Sequence, residues 1–435
     1  MTVETKLPYN KEYITDYSKK RNEPNWFQDI RLEAYDIAES MPLPKIEKTR
    51  INNWNFTNFK HDVSGDAITS FEELPEKIRT LLGDKDSAKN IIIIRNNTVA
   101  FTKLSPELSD QGVIFEDLFT ALSNHEDLVK KYFMKDAVKL DENKFTATHA
   151  ALLNSGIFLY VPKNVKIEEP IQVVFWQEDK EAALFNHVLI VADEHSDLTY
   201  VENYVSDNDD DQSVANIVSE VFALDGAKIS YGAVDNFSKG TTTYVNRRGV
   251  AYNDAVLDWA LGQMNDGNTL SENETFLMGH NALSHAKAVS IGRGEQSQNF
   301  TAKITHFGKG SEGYILQHGV MKDRAASIFN GIGKIEDGAS KSNAEQESRI
   351  LMLSQGSRGD ANPILLIDED DVMAGHAASV GRVDPLQLYY LMSRGISKEE
   401  AERLIIHGFL DPVVREIPIE TVQKQLREVI EGKVN

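Results

Sequence analysis

The stretch Ile171–Val205 reads IQVVFWQEDKEAALFNHVLIVADEHSDLTYVENYV, with three apolar, β-branched and aromatic runs at Ile171–Trp176, His187–Val191 and Leu198–Val205. Charged residues separate the runs. Each is too short for a stable helix and is bounded by turn-forming residues, which is the pattern of successive strands. Working outward, the same texture begins at Phe158–Val161, just past Gly156, and continues through Val214–Phe222, Ser230–Val234, Thr241–Val245 and Val256–Leu261. Turn pairs punctuate it at Asp225-Gly226, Asp266-Gly267, Gly308-Lys-Gly310 and Asp337-Gly338. Many short strands with scattered turns suit a sandwich, a barrel or a solenoid. The series is long and lacks the helices that would cover open sheet faces, so a solenoid is favoured, although no repeat of fixed period is visible.

The flanks read differently. Trp26, Ile30, Tyr35 and Ile37 lie near helical spacing between Asn22-Glu-Pro and the Pro42/Pro44 stop. Phe115, Leu118, Phe119 and Leu122 form a second stripe, Leu128–Phe133 a third, and a helix over about Thr146–Leu153 leads into Gly156. A short strand at Ile91–Ile94, with a turn at Asn96-Asn97, interrupts these helices. At the other end, Asp384-Pro385 supplies a cap and a first-turn proline, and Gly395 stops the helix. Ser397 with Glu400 makes a capping box for a helix through Ile406, and Val422, Leu426, Val429 and Ile430 mark a last amphipathic helix. These helices are expected to cap one end of the solenoid or to carry a partner. The organisation is therefore a mainly helical N-terminal region over 1–155, a β core over 156–384 and a C-terminal helical region over 385–435.

Composition narrows the function classes. A chain of 435 residues exceeds one compact core. A formal net charge of −21 argues against nucleic acid and against an anionic membrane surface. No apolar run approaches the roughly 20 residues that span a bilayer, and Met1–Lys6 has no apolar signal core. The chain contains no cysteine, so it has no disulfide and no thiolate, and the cytosol is the expected compartment.

One motif stands out. Asp368–Asp384 reads DEDDVMAGHAASVGRVD: four acidic residues, a strand-like Val-Met, then His376 among small residues. It resembles the Asp-Asp-Val-x-Cys-Ser-His-Gly-Ala-x-Val-Gly signature of the SufB/SufD family of iron–sulfur cluster assembly scaffolds, on the SufD side. Asp370, Asp371, Val372, His376, Ala378, Val380 and Gly381 are kept, and Ala374 stands where the cysteine often does. The resemblance covers most of the chain and is strongest from Asn246 to Leu410. It implies a right-handed parallel β-helix core flanked by helical regions, and a non-catalytic scaffold in a SufBCD-type complex. The implied partners are a SufB-like subunit, met near Asn330–Gly381, and a SufC-like ATPase, met by the C-terminal helices; the isolated chain is a candidate homodimer.

By the same resemblance a cluster starts at the interface of the two scaffold subunits, where a cysteine of the SufB-like chain faces His376. Neutral imidazole ligates iron, and Asp370, Asp371 or a backbone carbonyl is the candidate partner for its second nitrogen. Asp371, Val372, Leu388, Tyr389, Leu391, Leu404 and Ile405 are the candidate interface residues. No cofactor is expected on the isolated chain.

Other groups read as structural. His280, His285, His306 and His318, with Glu345 and Glu347, are expected to be polar side chains on solvent-facing strand positions. Asp368–Asp371 lacks the ligand spacing of a calcium loop. Gly331-Ile-Gly333-Lys334-Ile335 lacks the upstream glycine and the following Ser or Thr of a phosphate loop. Arg358-Gly-Asp360 is expected to be a turn. Ser284-His285 lacks a nucleophile-elbow context. The competing class is a carbohydrate-active enzyme, a lyase or hydrolase on a β-solenoid, which would need paired carboxylates along an exposed groove.

The lack of thiolates makes the first prediction. After reconstitution with iron and sulfide, the purified chain alone should stay colourless, with no stoichiometric acid-labile sulfide, because clusters are held chiefly by cysteine. Iron and sulfide assays on the desalted protein check this.

Overall fold

The computed structural model describes residues 6–83, 89–206 and 212–434. Its centre is a parallel β-helix of about eight turns. From Ser155 onward, successive strands alternate between two sheets, and each strand pairs in parallel with the strand two further along the chain. Leu283 lies beside Glu312, Glu312 beside Asn343 and Asn343 beside Met373, so these coils return every 29, 31 and 30 residues. Elsewhere the return is 26 residues, from Thr243 to Thr269, or 32, from Ala326 to Arg358. That variation lies in the corners and hides the repeat from a search for one period. All four turn pairs named above fall at corners between strands.

The strands are apolar because both faces of each sheet are buried over much of their length. Inward residues meet in the lumen, where Ile157, Val173, Leu184, Ile190, Tyr200, Tyr231, Leu257 and Trp259 form one cluster. Rings follow one another along the axis: Phe175 and Tyr204 stack at 4.6 Å between centroids, and Tyr231 and Trp259 meet tilted at 4.8 Å. Within this apolar column sits a fully buried ion network. Arg247 makes a two-pronged pair with Asp235, at 2.7 and 3.0 Å, and donates to Glu202 at 3.0 Å. The hydroxyls of Tyr200 and Tyr204 donate to the other Glu202 oxygen. Burial pushes the Glu202 carboxyl up, and the Arg247 guanidinium opposes that shift.

The outer faces are covered from opposite ends of the chain. Helices Lys11–Lys20, Asn25–Ser40, Leu118–Asn124 and Lys144–Leu152 belong to a layer over the early strands of the nine-stranded sheet, against Phe185, Leu189, Val191, Val214, Val218 and Phe222. The helix at Lys11–Lys20 is absent from the sequence reading; Asn10 caps it by accepting from the Tyr13 N–H. The region before Ser155 also gives strands to the sheets. Asn90–Arg95 pairs in parallel with Ile171–Gln177, and Ile114–Asp117, expected to be helical, pairs antiparallel with Ser155–Val161.

The C-terminal helices do not cap the solenoid end. Ile406, Leu410, Val413, Val422, Leu426 and Ile430 lie on the outer face of the ten-stranded sheet, against Val201, Val234, Ala260, Val289, Leu316 and Val320. The helix expected to stop at Ile406 runs over Lys398–Glu416, with Pro412 inside it. Burial of its apolar side against the sheet offsets the missing proline N–H. Lys433 pairs with Asp266, which also holds Arg293, and so fixes the end of the last helix to a solenoid corner.

The lumen network yields a prediction. Arg247→Met would leave Glu202 and Asp235 buried without their cation, a change worth about 3–5 kcal/mol. The midpoint of chemical denaturation should fall accordingly.

Candidate functional site

A parallel sheet cannot end without leaving one strand unpaired on its far side. Here that happens in both sheets at the C-terminal end. Met373–Arg382 is the outermost strand of the ten-stranded sheet and Arg358–Ile367 of the nine-stranded sheet. His376, which the motif sets among small residues, lies within strand Met373–Arg382.

Register fixes the direction of its side chain. Gln346 pairs with His376, Ala344 with Ala374, Ser348 with Ala378 and Ile350 with Val380. Ala344, Gln346, Ser348 and Ile350 are buried, facing the lumen, whereas Glu345, Glu347 and Arg349 alternate with them on the outer side. Neighbours in a parallel ladder share a face, so Ala374, His376, Ala378 and Val380 point the same way. His376 closes a lumen column that runs Tyr200, Tyr231, Trp259, Ala286, Ile315, Gln346, His376. It is exposed only because no further coil follows. The opening beneath it is partly polar. Gln346 donates to the Ile364 carbonyl, and its Oε1 is buried without a hydrogen-bond partner. Gly331 on the facing sheet makes room for that amide, since a Cβ there would stand 2.3 Å from Oε1.

The surroundings are apolar and bare. Met373 is 66% exposed, and Leu366, Ile367 and Val380 on the two end strands are also exposed. Helix Pro385–Ser393 follows the strand after two residues and buries none of its side chains. Leu386 and Tyr389 are 74% and 70% exposed, and Tyr390, Met392 and Leu404 are also exposed. Leu388, Leu391 and Ile405 are half-buried. Of the apolar candidate interface residues, Tyr389 and Leu404 present the most surface. Val372 packs against Ile335, Ala339 and Ala344. Asp371 is held at the corner by Lys341, whose Nζ donates to it at 3.0 Å. Met373, Leu366, Leu386 and Tyr390 are the apolar residues that the sequence reading missed. The available signal was the lack of any strand run after Arg382 to cover them.

The other histidines are not all solvent-facing. His306 points into the lumen and is fully buried, bonded to the Ser311 hydroxyl at 2.8 Å, and burial pushes its pKa down to about 4. His318 is buried under the C-terminal helix, 3.0 Å from the Phe409 carbonyl and 3.3 Å from Glu347. His285 is partly exposed and pairs with Asp258 at 2.9 Å, and His280 lies exposed at a corner. Among the described residues no three His, Asp or Glu side chains are grouped to hold a metal ion. Gly331–Ile335 lies in a strand, unlike a phosphate loop, and Arg358-Gly-Asp360 opens a strand instead of forming a turn.

Comparison with known proteins fits this architecture. The model described as "SUF system FeS cluster assembly, SufBD core domain" matches residues 175–409, and that of the SufBD protein N-terminal region matches 20–173. The chain belongs to the SufBD family. It is 61% identical, over the full length of both chains, to a Bacillus subtilis protein named iron–sulfur cluster assembly protein SufD. An iron–sulfur cluster assembly SufBD family protein of Staphylococcus aureus strain USA300 is 29% identical over 94% of this chain and 89% of its own. In SufBD terms, the core match ends at Phe409, beyond the exposed helix and within the helix that follows it. Among the described residues no helix is long and apolar enough to cross a membrane.

The contrast between bare and buried helices is measurable. Leu386→Ala and Tyr389→Ala should each change stability by no more than about 0.5 kcal/mol. Leu410→Ala or Leu426→Ala, under the same helical region, should cost about 2–5 kcal/mol. Urea denaturation of the four variants checks this.

Proposed function

We propose that this chain is a non-catalytic scaffold subunit for iron–sulfur cluster assembly, working in the cytosol with a SufB-like subunit and a SufC-like ATPase. The observation that carries the reading is the open end of the solenoid, where His376 closes a lumen column among uncovered apolar side chains. A second subunit with its own exposed strands can extend both sheets there and bury Met373, Leu366 and Val380. Edge strands left open in this way serve as templates for pairing.

The cluster is cargo in this reading. This chain offers an imidazole and no thiolate, so the sulfur-bearing ligands come from the partner. Imidazole is a competent iron ligand, and the small neighbours Gly375 and Ala377 let another chain approach closely. The exposed face of helix Pro385–Ser393, with Leu404 on the next helix, is the surface for the ATPase. Two residues separate that helix from the His376 strand, so movement imposed by the ATPase reaches the shared interface directly. Full-length similarity to cluster-assembly proteins counts against the carbohydrate-active alternative.

His376→Ala tests the site in the complex of all three subunits. The complex should assemble as wild type, while cluster yield after reconstitution drops at least several-fold; His285→Ala should leave the yield unchanged. Equal yield from an intact His376→Ala complex would remove His376 from the site. Tyr389→Glu tests the docking surface, and pull-down with the ATPase should fall sharply while pairing with the SufB-like subunit persists.

A further inference from the structure

Three buried titratable side chains meet beneath the N-terminal layer, away from the open end. His149 comes from helix Lys144–Leu152, His187 from strand Leu184–Ala192 and Glu220 from strand Ser213–Ala223, and each is fully buried. They form a line. His149 Nδ1 is 3.3 Å from the Asn216 carbonyl, His149 Nε2 is 3.1 Å from His187 Nδ1, and His187 Nε2 is 3.1 Å from Glu220 Oε2. Glu220 accepts from the Met134 N–H at 2.7 Å and the Val138 N–H at 3.1 Å, which ties the segment before the helix to the same carboxyl. The Phe133 ring lies 4.5 Å from that of His187.

The chemistry of the partners sets the order of the protons. A carbonyl only accepts, so His149 Nδ1 carries a hydrogen. In a neutral ring its Nε2 is then a lone pair, and His187 Nδ1 must donate to it. That leaves a lone pair on His187 Nε2, facing Glu220. An ionised carboxylate there would set two acceptors against each other, so a proton must lie between them. On the ring it would make a buried ion pair, which needs excellent geometry to offset desolvation. The 3.1 Å contact is not aligned as a hydrogen bond, so it does not offset the desolvation of two buried charges, a cost that a neutral ring and a neutral carboxyl do not carry. The proton therefore belongs on the carboxyl.

We propose that one proton on Glu220 latches the N-terminal layer to the solenoid, and that the layer loosens when this proton is lost. Burial holds the Glu220 carboxyl up at about 8 and pushes His187 down to about 3; His149 is also pushed down, mainly by burial. The charges nearby are few. Arg31, on helix Asn25–Ser40, is paired with Glu23 and donates to the Ala151 and Leu153 carbonyls. Asp136 and Glu142 both disfavour an ionised Glu220, and Glu142 is paired with Arg248, which also meets Glu272 and Glu274.

The pH window follows from the two shifts. Glu220 is raised from 4.5, so its contribution is full below 4.5 and is lost as pH rises towards about 8. His187 is lowered from 6.5, so its contribution is full above 6.5 and is lost as pH falls towards about 3. The two oppose each other between 4.5 and 6.5. Of these two groups only Glu220 still changes above 6.5, and through it opening should be favoured by up to about tenfold per pH unit.

Native-state hydrogen exchange on the full chain between pH 6.5 and 8.5 tests this, with rates corrected for intrinsic exchange. The opening constant for amides of Lys144–Leu152 should climb by up to about tenfold per unit up to pH 8, while that of the distant strand Glu312–Met321 stays level. Glu220→Gln replaces the titrating O–H with an amide, and its opening constant should not change with pH. If that variant does not fold, infrared spectroscopy of the wild type decides: a protonated-carboxyl band from a shielded site should be present at pH 6.5 and fade above about 8. A flat wild-type profile, an unchanged slope in Glu220→Gln, or no such band at pH 6.5 would each overturn the latch.

Discussion

Every part of this molecule answers to one constraint: a parallel ladder passes its inward face from coil to coil and has no natural end. Each coil buries its lumen side chains against the next. Removing the next coil exposes a row of backbone donors and acceptors together with whatever the lumen held. The N-terminal end resolves this within the chain. Strands Thr98–Lys103 and Ile114–Asp117 reverse direction and end both sheets, with helices packed beside them. The C-terminal end is left open, and the motif histidine sits there.

Coverage of the outer faces follows the same logic by different means. The N-terminal layer covers the early coils of one sheet and the last two helices cover the middle of the other, so neither is available to cover the final coil. A ridge of amides, Asn299, Asn330 and Asn362, runs along the outside of the nine-stranded sheet. Lys48, in the segment that follows the second N-terminal helix, donates to Asn362 near the open end. The N-terminal region thus reaches the last coil without capping it. Inside, the Arg247 network places charge where apolar packing alone would serve. Its direct hydrogen bonds join strands from both sheets, which sets their relative position.

The strands from Phe158 to Leu261 could be read from the sequence because both of their faces are buried and the runs are almost continuously apolar. Past Leu261 the lumen columns turn to Ala286, Gly313, Gln317 and Ser348, and local hydrophobicity no longer marks strands. His306 and His318 were misread for that reason: with polar residues on both faces, only register separates inside from outside. Register also decided the direction of His376, which its motif singled out without orienting. The C-terminal stripes at Ile406 and at Val422, Leu426 and Ile430 were legible as amphipathic, but a stripe does not name the surface it will cover. Long-range pairing supplied that information, as it did for Ile114–Asp117, where short apolar spacing suits a helix equally well.

The placement of the last two helices has a consequence during synthesis. The stripe from Val201 to Val320 is complete long before Ile406–Ile430 leave the ribosome. At about 5–20 residues per second, the roughly 110 residues between Val320 and Ile430 take on the order of ten seconds to make. Throughout that interval a nascent chain carries an apolar sheet face with nothing to cover it. A ribosome stalled anywhere in the last coils would hold out an aggregation-prone surface.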